Sequence, residues 1–195
     1  MEMRAKILSE ATRLFAEKGV DGTSIQEISD AVGVKKPSLL YHFPSKEALH
    51  SSVLEDLLSR WNESVPRLLK AAAREDRFDA ILDETLSFFA TDPDRARLLL
   101  REALDRPDEM RALLRLHAST WLGLVSDSIK KAQADGAMRA EVDAEAYVVQ
   151  VIHLLVGCFA VGPVLGSVLG KGALPRLQRE LKRVARASLM TTKTR

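Results

Sequence analysis

Apolar residues recur with helical spacing along most of this chain, and no segment alternates in the manner of a strand. The first apolar helical face consists of Ile7, Leu8, Ala11, Leu14 and Phe15. Gly19 follows this face and predicts the end of the helix, because glycine enters the left-handed conformation at low cost. Later helices are separated by predicted breaks at Asp92-Pro93, Arg106-Pro107 and Asp135-Gly136. The pattern therefore predicts an all-α fold.

A helix, a glycine turn and a second helix are predicted directly after the first helix. Ser24 and Glu27 have the spacing of a capping box, which predicts a helix that begins near Ile25. Gly33 is the expected end of that helix. Pro37 then fits the first turn of the next helix, where its missing N–H is not needed.

The second helix of this pair has the composition of a helix that enters a DNA groove. Leu39 and Phe43 form its core side, and Leu40 is shared between core and surface. The outward side carries Lys36, Pro37, Ser38, Tyr41 and His42. No acidic residue occurs from 31 to 45, so that Lys35, Lys36 and Lys46 create a positive patch. We therefore predict a DNA-binding helix-turn-helix; the alternative is an ordinary helical hairpin inside a core.

A longer fourth helix is predicted to join this head to the rest of the chain. Ser45 is a suitable N-cap, and an apolar stripe runs from Leu49 to Trp61 before Pro66 interrupts it. Because a continuous helix transmits displacement rigidly, this helix is the natural mechanical link between the two parts. The predicted organisation is a three-helix head of residues 1–49 and a helical domain of residues 50–195.

Several residues of the head form a family signature. They are Gly22-Thr23-Ser24, Ile28, Gly33-Val34, Lys36 and the run Tyr41-His42-Phe43-Pro44-Ser45-Lys46-Glu47-Ala48-Leu49. With them, residues 4–50 resemble the DNA-binding domain of the tetracycline-repressor (TetR) family. The chain departs from that family at Lys35, where a small residue is usual, and at Leu40, where a phosphate-contacting tyrosine is usual. The resemblance implies a homodimer that binds a palindromic double-stranded DNA operator, as a repressor released by a small-molecule effector.

The predicted DNA contacts divide into base-reading and phosphate-holding side chains. Ser38 and Tyr41 are expected near base edges, Lys36 at a base or a phosphate, and Gln26 at a base from the preceding helix. Phosphate contacts are assigned to Thr23, His42 and Lys46, the last at the start of the fourth helix, where backbone N–H groups also favour an anion.

An uncharged run extends from residue 146 to residue 170. Its length is sufficient to span a bilayer, which leaves open a membrane-associated adaptor built on residues 147–169. Gln150, His153 and Pro163 within the run argue against this alternative. A helix that is apolar all round can instead be buried in a protein interface, and the resembled family dimerises through its last two long helices. We therefore predict no membrane span and a homodimer through residues 148–169 and 174–189.

The sequence gives little support for catalysis or metal binding. None of the four histidines lies at metal-ligand spacing from another ligand, and neither a Gly-x-Ser-x-Gly turn nor a phosphate-binding glycine loop occurs. We therefore predict no enzyme, no catalytic residue, no metal and no cofactor. The single Cys158 excludes an intramolecular disulfide, and the first residues lack the apolar core of a signal peptide. These features predict a cytoplasmic protein.

The helical domain is expected to bind an apolar or amphipathic small molecule. His117 and Trp121 are predicted on one face of a long helix, where a polar group and an aromatic wall could line a cavity. His117 and His153 each lie on an apolar helix face, where a hydrogen-bonded core histidine is the commoner outcome, and Trp121 likewise is most often a core residue at such spacing. If no cavity exists, the chain would be a ligand-independent DNA-organising or protein-docking module with the same head.

Overall fold

The computed structural model describes residues 2–72 and 77–191, and within these ranges the chain is helical with no strand. A single bridge between Met138 and Met190 is the one pairing of extended backbone in that part. The helices are α1 Glu2–Lys18, α2 Ile25–Val32, α3 Lys36–His42, α4 Lys46–Asn62, α5 Val65–Ala72, α6 Arg77–Thr91, α7 Asp94–Asp105, α8 Pro107–His117, α9 Ser119–Ala134, α10 Ala144–Ala160, α11 Gly162–Leu165 and α12 Ala173–Leu189, with a 3₁₀ turn at Gly166–Leu169. The predicted all-α fold is confirmed.

The local signals in the head act as the sequence predicts. The Ser24 hydroxyl accepts the N–H of Glu27 at 3.1 Å and caps α2. Gly33 ends α2 with φ +81°, a conformation that would strain any residue with a β-carbon. Pro37 lies in the first turn of α3, and the Ser45 hydroxyl caps α4 by accepting the N–H of Ala48 at 3.1 Å. The ends of the helices in the helix-turn-helix are therefore determined by capping and turn residues close to them in the sequence.

The core of the head extends beyond the head itself. It contains the predicted faces of α1 and α4, together with Ile28, Val32, Leu39 and Phe43. Leu98 of α7 and Met110 of α8 are buried in the same core, and α1 packs directly against α7. The fourth helix is thus not the only connection between the two parts of the chain.

The helical domain is built from α5 to α12 and contains two further apolar clusters. One surrounds Trp61, Phe89 and Phe159, and the other surrounds Ile129, Val148 and Leu189. The predicted breaks at Pro93, Pro107 and Gly136 each fall between two helices. The fourth helix ends at Asn62, and Pro66 lies within the first turn of α5 instead of at the end of α4.

Three expectations about the helical domain were wrong. The helix predicted to carry both His117 and Trp121 is interrupted at Ala118, so that these residues belong to α8 and α9. The segment 148–169 is not one helix: it bends by 62° after Ala160. The third concerns His153, which is exposed on α10 and is not a core histidine.

In the described ranges no single helix is long and apolar enough to cross a membrane; only the two bent pieces together reach that length and composition.

Candidate nucleic-acid interface and internal cavity

The outward face of α3 is exposed as the sequence predicts. Lys36, Pro37 and Ser38 are exposed, and the Tyr41 side chain is 87% exposed. Leu39, one residue away, is fully buried, and Leu40 is half-buried. An exposed tyrosine on a short helix anchored by a buried leucine can reach a base edge without disturbing the core.

Two flanking side chains lie beside this face. His42 is half-buried and makes an edge-to-face contact with Tyr41, with ring centroids 5.5 Å apart. Gln26 is exposed on α2, and its amide donates to the Asp30 carboxylate at 2.8 Å. The carbonyl oxygen of Gln26 remains available for a base. Glu27, on the same helix, is paired with Lys18, which lowers the pKa of the Glu27 carboxyl and keeps it ionised.

Lys46 and Thr23 hold the turn between α1 and α2. The Lys46 ammonium donates to the carbonyl of Val20 at 2.9 Å and to that of Thr23 at 3.2 Å. An ammonium has three N–H donors, so one remains for a phosphate. The Thr23 hydroxyl is buried and donates to the Gly19 carbonyl at 2.8 Å. This arrangement favours a structural role for Thr23 over the predicted phosphate contact through its hydroxyl.

The helical domain encloses an apolar cavity with about 70 Å³ of free space. Its wall includes both tryptophans of the chain, Trp61 and Trp121, together with Phe78, Met138, Tyr147 and Val148. Among the residues that the structure describes, none that lines the cavity carries a charge. Trp121 therefore lies where a ligand contact was predicted. His117 does not line the cavity, because it ends α8 with its Nδ1 3.5 Å from Nδ2 of Asn62.

The Tyr147 hydroxyl is a polar group at the cavity wall, and it already makes a hydrogen bond within the protein. It donates to the Ala185 carbonyl at 2.6 Å and so joins α10 to α12. Burial raises the pKa of Tyr147 to about 12. The phenol therefore stays neutral at physiological pH.

A chain of polar side chains, buried at one end and not predicted from the sequence, connects the helical domain to the head. Nε2 of His50 on α4 lies 3.0 Å from a carboxylate oxygen of Glu102 on α7. On the other side of the imidazole, Arg106 approaches Nδ1 at 3.3 Å and also pairs with Asp21 in the α1–α2 turn at 3.1 Å. No motif marks these contacts, because Arg106 lies 56 residues from His50 and 85 residues from Asp21 in the sequence.

No cluster of potential metal ligands occurs among the residues that the structure describes. A head with an exposed second helix, joined by α4 to a helical domain with an apolar cavity, defines a helix-turn-helix regulator with a separate regulatory domain.

Comparisons with known proteins identify the family. Residues 7–53 match the model described as bacterial regulatory proteins, tetR family, and residues 99–168 match the tetracyclin repressor-like C-terminal domain. The HTH-type transcriptional repressor KstR2 of Rhodococcus jostii (strain RHA1) is 30% identical over 152 residues, which are 73% of this chain and 71% of that protein. The regulator RutR of Escherichia coli (strain K12) is 47% identical over 55 residues, 28% of this chain and 26% of RutR.

A solved structure extends the likeness to the whole fold. The ketosteroid transcriptional regulator KstR2 of Mycobacterium tuberculosis superposes with a TM-score of 0.71 at 16% identity, covering 97% of this chain and 95% of that one. This chain belongs to the TetR family of bacterial regulators. It is a DNA-binding transcriptional regulator and not an enzyme.

Proposed function

We propose that this protein is a repressor that binds a palindromic operator as a homodimer and that an uncharged, largely apolar small molecule releases it. The observation that carries this proposal is the position of α4. Lys46 at the start of α4 holds the α1–α2 turn of the head, and Trp61 in the last turn of α4 lines the apolar cavity. A molecule in the cavity therefore contacts the same helix that positions the head.

The proposed DNA contacts rest on exposure and charge. Tyr41, Ser38 and Lys36 share the exposed face of α3, with Gln26 and His42 at its margins. Lys46 supplies its remaining N–H to a phosphate. Thr23 acts by holding the turn through which Lys46 is positioned.

The proposed dimer rests on exposed apolar side chains in the uncharged run. Val164 is 72% exposed and Val168 is 86% exposed. Val149 and Leu154 on α10 and Val184 on α12 are also exposed. Exposed apolar side chains in this number favour an interface, and a twofold dimer would bury the same residues of both subunits.

The cavity favours ligand release over the ligand-independent alternative. Its uncharged wall would penalise an ionised ligand, because burying an unpaired charge is costly. To lower DNA affinity, the ligand must bind more tightly to the dimer that is free of DNA than to the dimer on the operator. A hundredfold loss of DNA affinity requires about 2.7 kcal/mol of coupling, and operator DNA must weaken ligand binding by the same factor.

The test begins with selection of bound DNA from a random pool by the purified protein, for which we expect a palindrome. Uncharged apolar compounds that raise the melting temperature are then titrated against the operator complex at fixed salt, with fluorescence anisotropy as the measurement. We expect these compounds to release the operator. A recovered site without twofold symmetry would refute the palindromic operator. A compound that stabilises the protein but binds free and operator-bound dimers equally would refute release.

A further inference from the structure

The indole N–H of Trp61 is buried and finds no acceptor in the part of the chain that the structure describes. The residue is 7% exposed and lies in the last turn of α4. The large majority of buried side-chain polar atoms in folded proteins have a hydrogen-bond partner. Because Trp61 also lines the cavity, an acceptor from outside the chain could satisfy this orphan donor.

The aromatic neighbours of Trp61 do not supply a strong acceptor. Its ring meets Phe88 edge-to-face at 4.9 Å between centroids and Trp121 at 5.3 Å. An aromatic face accepts an N–H only weakly. A carbonyl or ether oxygen would therefore compete successfully with either ring.

The same wall also contains the donors Thr85, Tyr147, Ser128 and Trp121, and two of these four are already used. The Thr85 hydroxyl donates to the Ile81 carbonyl at 2.9 Å, within α6. The Tyr147 hydroxyl donates to Ala185. Because these bonds lie within the protein, the Trp61 N–H differs from both hydroxyls in having an unused proton to offer a ligand.

We propose that Trp61 donates a hydrogen bond to a neutral oxygen acceptor, a carbonyl or an ether, on an otherwise apolar effector. This inference rests on the proposed function, since it assigns the cavity to the effector. The acceptor is neutral because the cavity lining, in the described part of the chain, offers no charge to pair with an anion. The bond ties the effector to the end of α4, so that the ligand oxygen acts directly on the helix that begins at the head.

Acetophenone and α-methylstyrene are suitable probes, because they share size and shape and differ mainly in having C=O or C=CH₂. Quenching of tryptophan fluorescence reports their binding, as both tryptophans line the cavity. We expect Trp61→Phe to lower the ratio of acetophenone affinity to α-methylstyrene affinity about tenfold, equivalent to about 1.4 kcal/mol. This ratio cancels changes in cavity shape, which affect both probes alike. Trp121→Phe is the matched control: it can weaken both probes together, but it should preserve their ratio.

The wild-type protein provides a second measurement that needs no variant of Trp61. With ¹⁵N-labelled tryptophan, the two indole N–H groups give two NMR signals, which Trp121→Phe assigns. We expect acetophenone to shift the Trp61 indole proton downfield and α-methylstyrene to leave it upfield. If both probes bind but neither the ratio nor the signal distinguishes them, the Trp61 assignment is wrong while the apolar effector cavity stands. If neither probe binds, both the assignment and the cavity's proposed role fail.

Discussion

His50 and Glu102 face each other inside the protein, 3.0 Å apart and almost fully buried, although the contact lacks the alignment of a good hydrogen bond. Arg106 approaches the other ring nitrogen of His50 and can only donate, so that nitrogen accepts and the imidazole proton points towards Glu102. Charges then alternate from Glu102 through Arg106 to Asp21. The contact thereby links α7, α4 and the α1–α2 turn.

Replacing Glu102 should therefore destabilise the protein. Glu102→Ala removes the carboxylate that faces the buried His50 imidazole, and we expect the unfolding free energy to fall by about 1–3 kcal/mol in urea denaturation. Glu102→Gln keeps an acceptor oxygen and should recover most of that loss. Equal losses for alanine and glutamine would show that the carboxylate itself, and not merely an acceptor oxygen, is required.

Lys46→Ala tests whether this lysine holds a phosphate, the turn, or both. Loss of its two bonds to carbonyl groups should lower the unfolding free energy by about 1.5–3 kcal/mol, because the donor is charged. If the third N–H also holds a phosphate, binding to all DNA sequences weakens and the salt dependence of log K flattens by about one unit.

The matched control for Lys46 is Lys35→Ala, at an exposed position with no capping hydrogen bond. Its unfolding free energy should stay within about 0.5 kcal/mol of the wild type. A Lys46→Ala protein with reduced stability and an unchanged salt slope would leave Lys46 with a structural role only.

Tyr41→Ala should act on sequence preference and not on folding. The side chain is so exposed that its removal should change the unfolding free energy by less than about 0.5 kcal/mol. Affinity for the selected operator should fall by about 1–3 kcal/mol, whereas affinity for random DNA should change little. Competition binding with both DNAs measures the two effects, and equal losses on both would rule out a base-reading role.

Val168→Arg should split the dimer. A charged side chain on the exposed apolar surface of the 3₁₀ turn would be buried without a partner in the interface. Sedimentation velocity at micromolar concentration should therefore give a dimer for the wild type and a monomer for the variant. Leu116→Arg, at an exposed leucine on α8, is the control and should remain dimeric. A monomeric wild type would refute the proposed interface.

Because of Tyr147, the free energy of unfolding should decrease as pH rises in the alkaline range. The unfolded chain releases the phenol proton near pH 10, whereas the folded protein keeps it up to about pH 12. The folded state therefore binds more protons in this interval, and the unfolding free energy decreases as pH rises, by at most about 1.4 kcal/mol per pH unit. Subtracting the pH profile of Tyr147→Phe isolates this contribution from the lysines, which titrate in the same range. Parallel profiles for the two proteins would contradict the raised pKa.

The features predicted correctly from the sequence depend on residues close together in the chain. Ser24, Gly33 and Ser45 fix helix ends through their own side chain or backbone, so their roles can be inferred from the neighbouring sequence. The helical spacing of apolar residues likewise predicts which side of α3 is buried. For these features the interaction partner lies within four residues.

The features that were missed depend on distant residues. Lys46 bonds a carbonyl 26 residues away, and this partner could not be inferred from its position at the start of α4. The interruption at Ala118 has neither glycine nor proline to mark it, which is why His117 and Trp121 were assigned to one face. Trp61 was predicted only as part of an apolar stripe, because periodicity does not reveal whether an indole N–H finds an acceptor.

The shared core of the head determines what kind of motion can release DNA. Leu98 and Met110 belong to the helical domain but pack among the head's own apolar residues. A head hinged on a free linker could swing widely, but this one would have to expose that core to do so. Movement between the two parts must therefore be shear: α1 slides along α7 by about 1–2 Å while side chains keep their partners. In the proposed repressor, release would therefore come from a slight misalignment of the two recognition helices and not from detachment of either head.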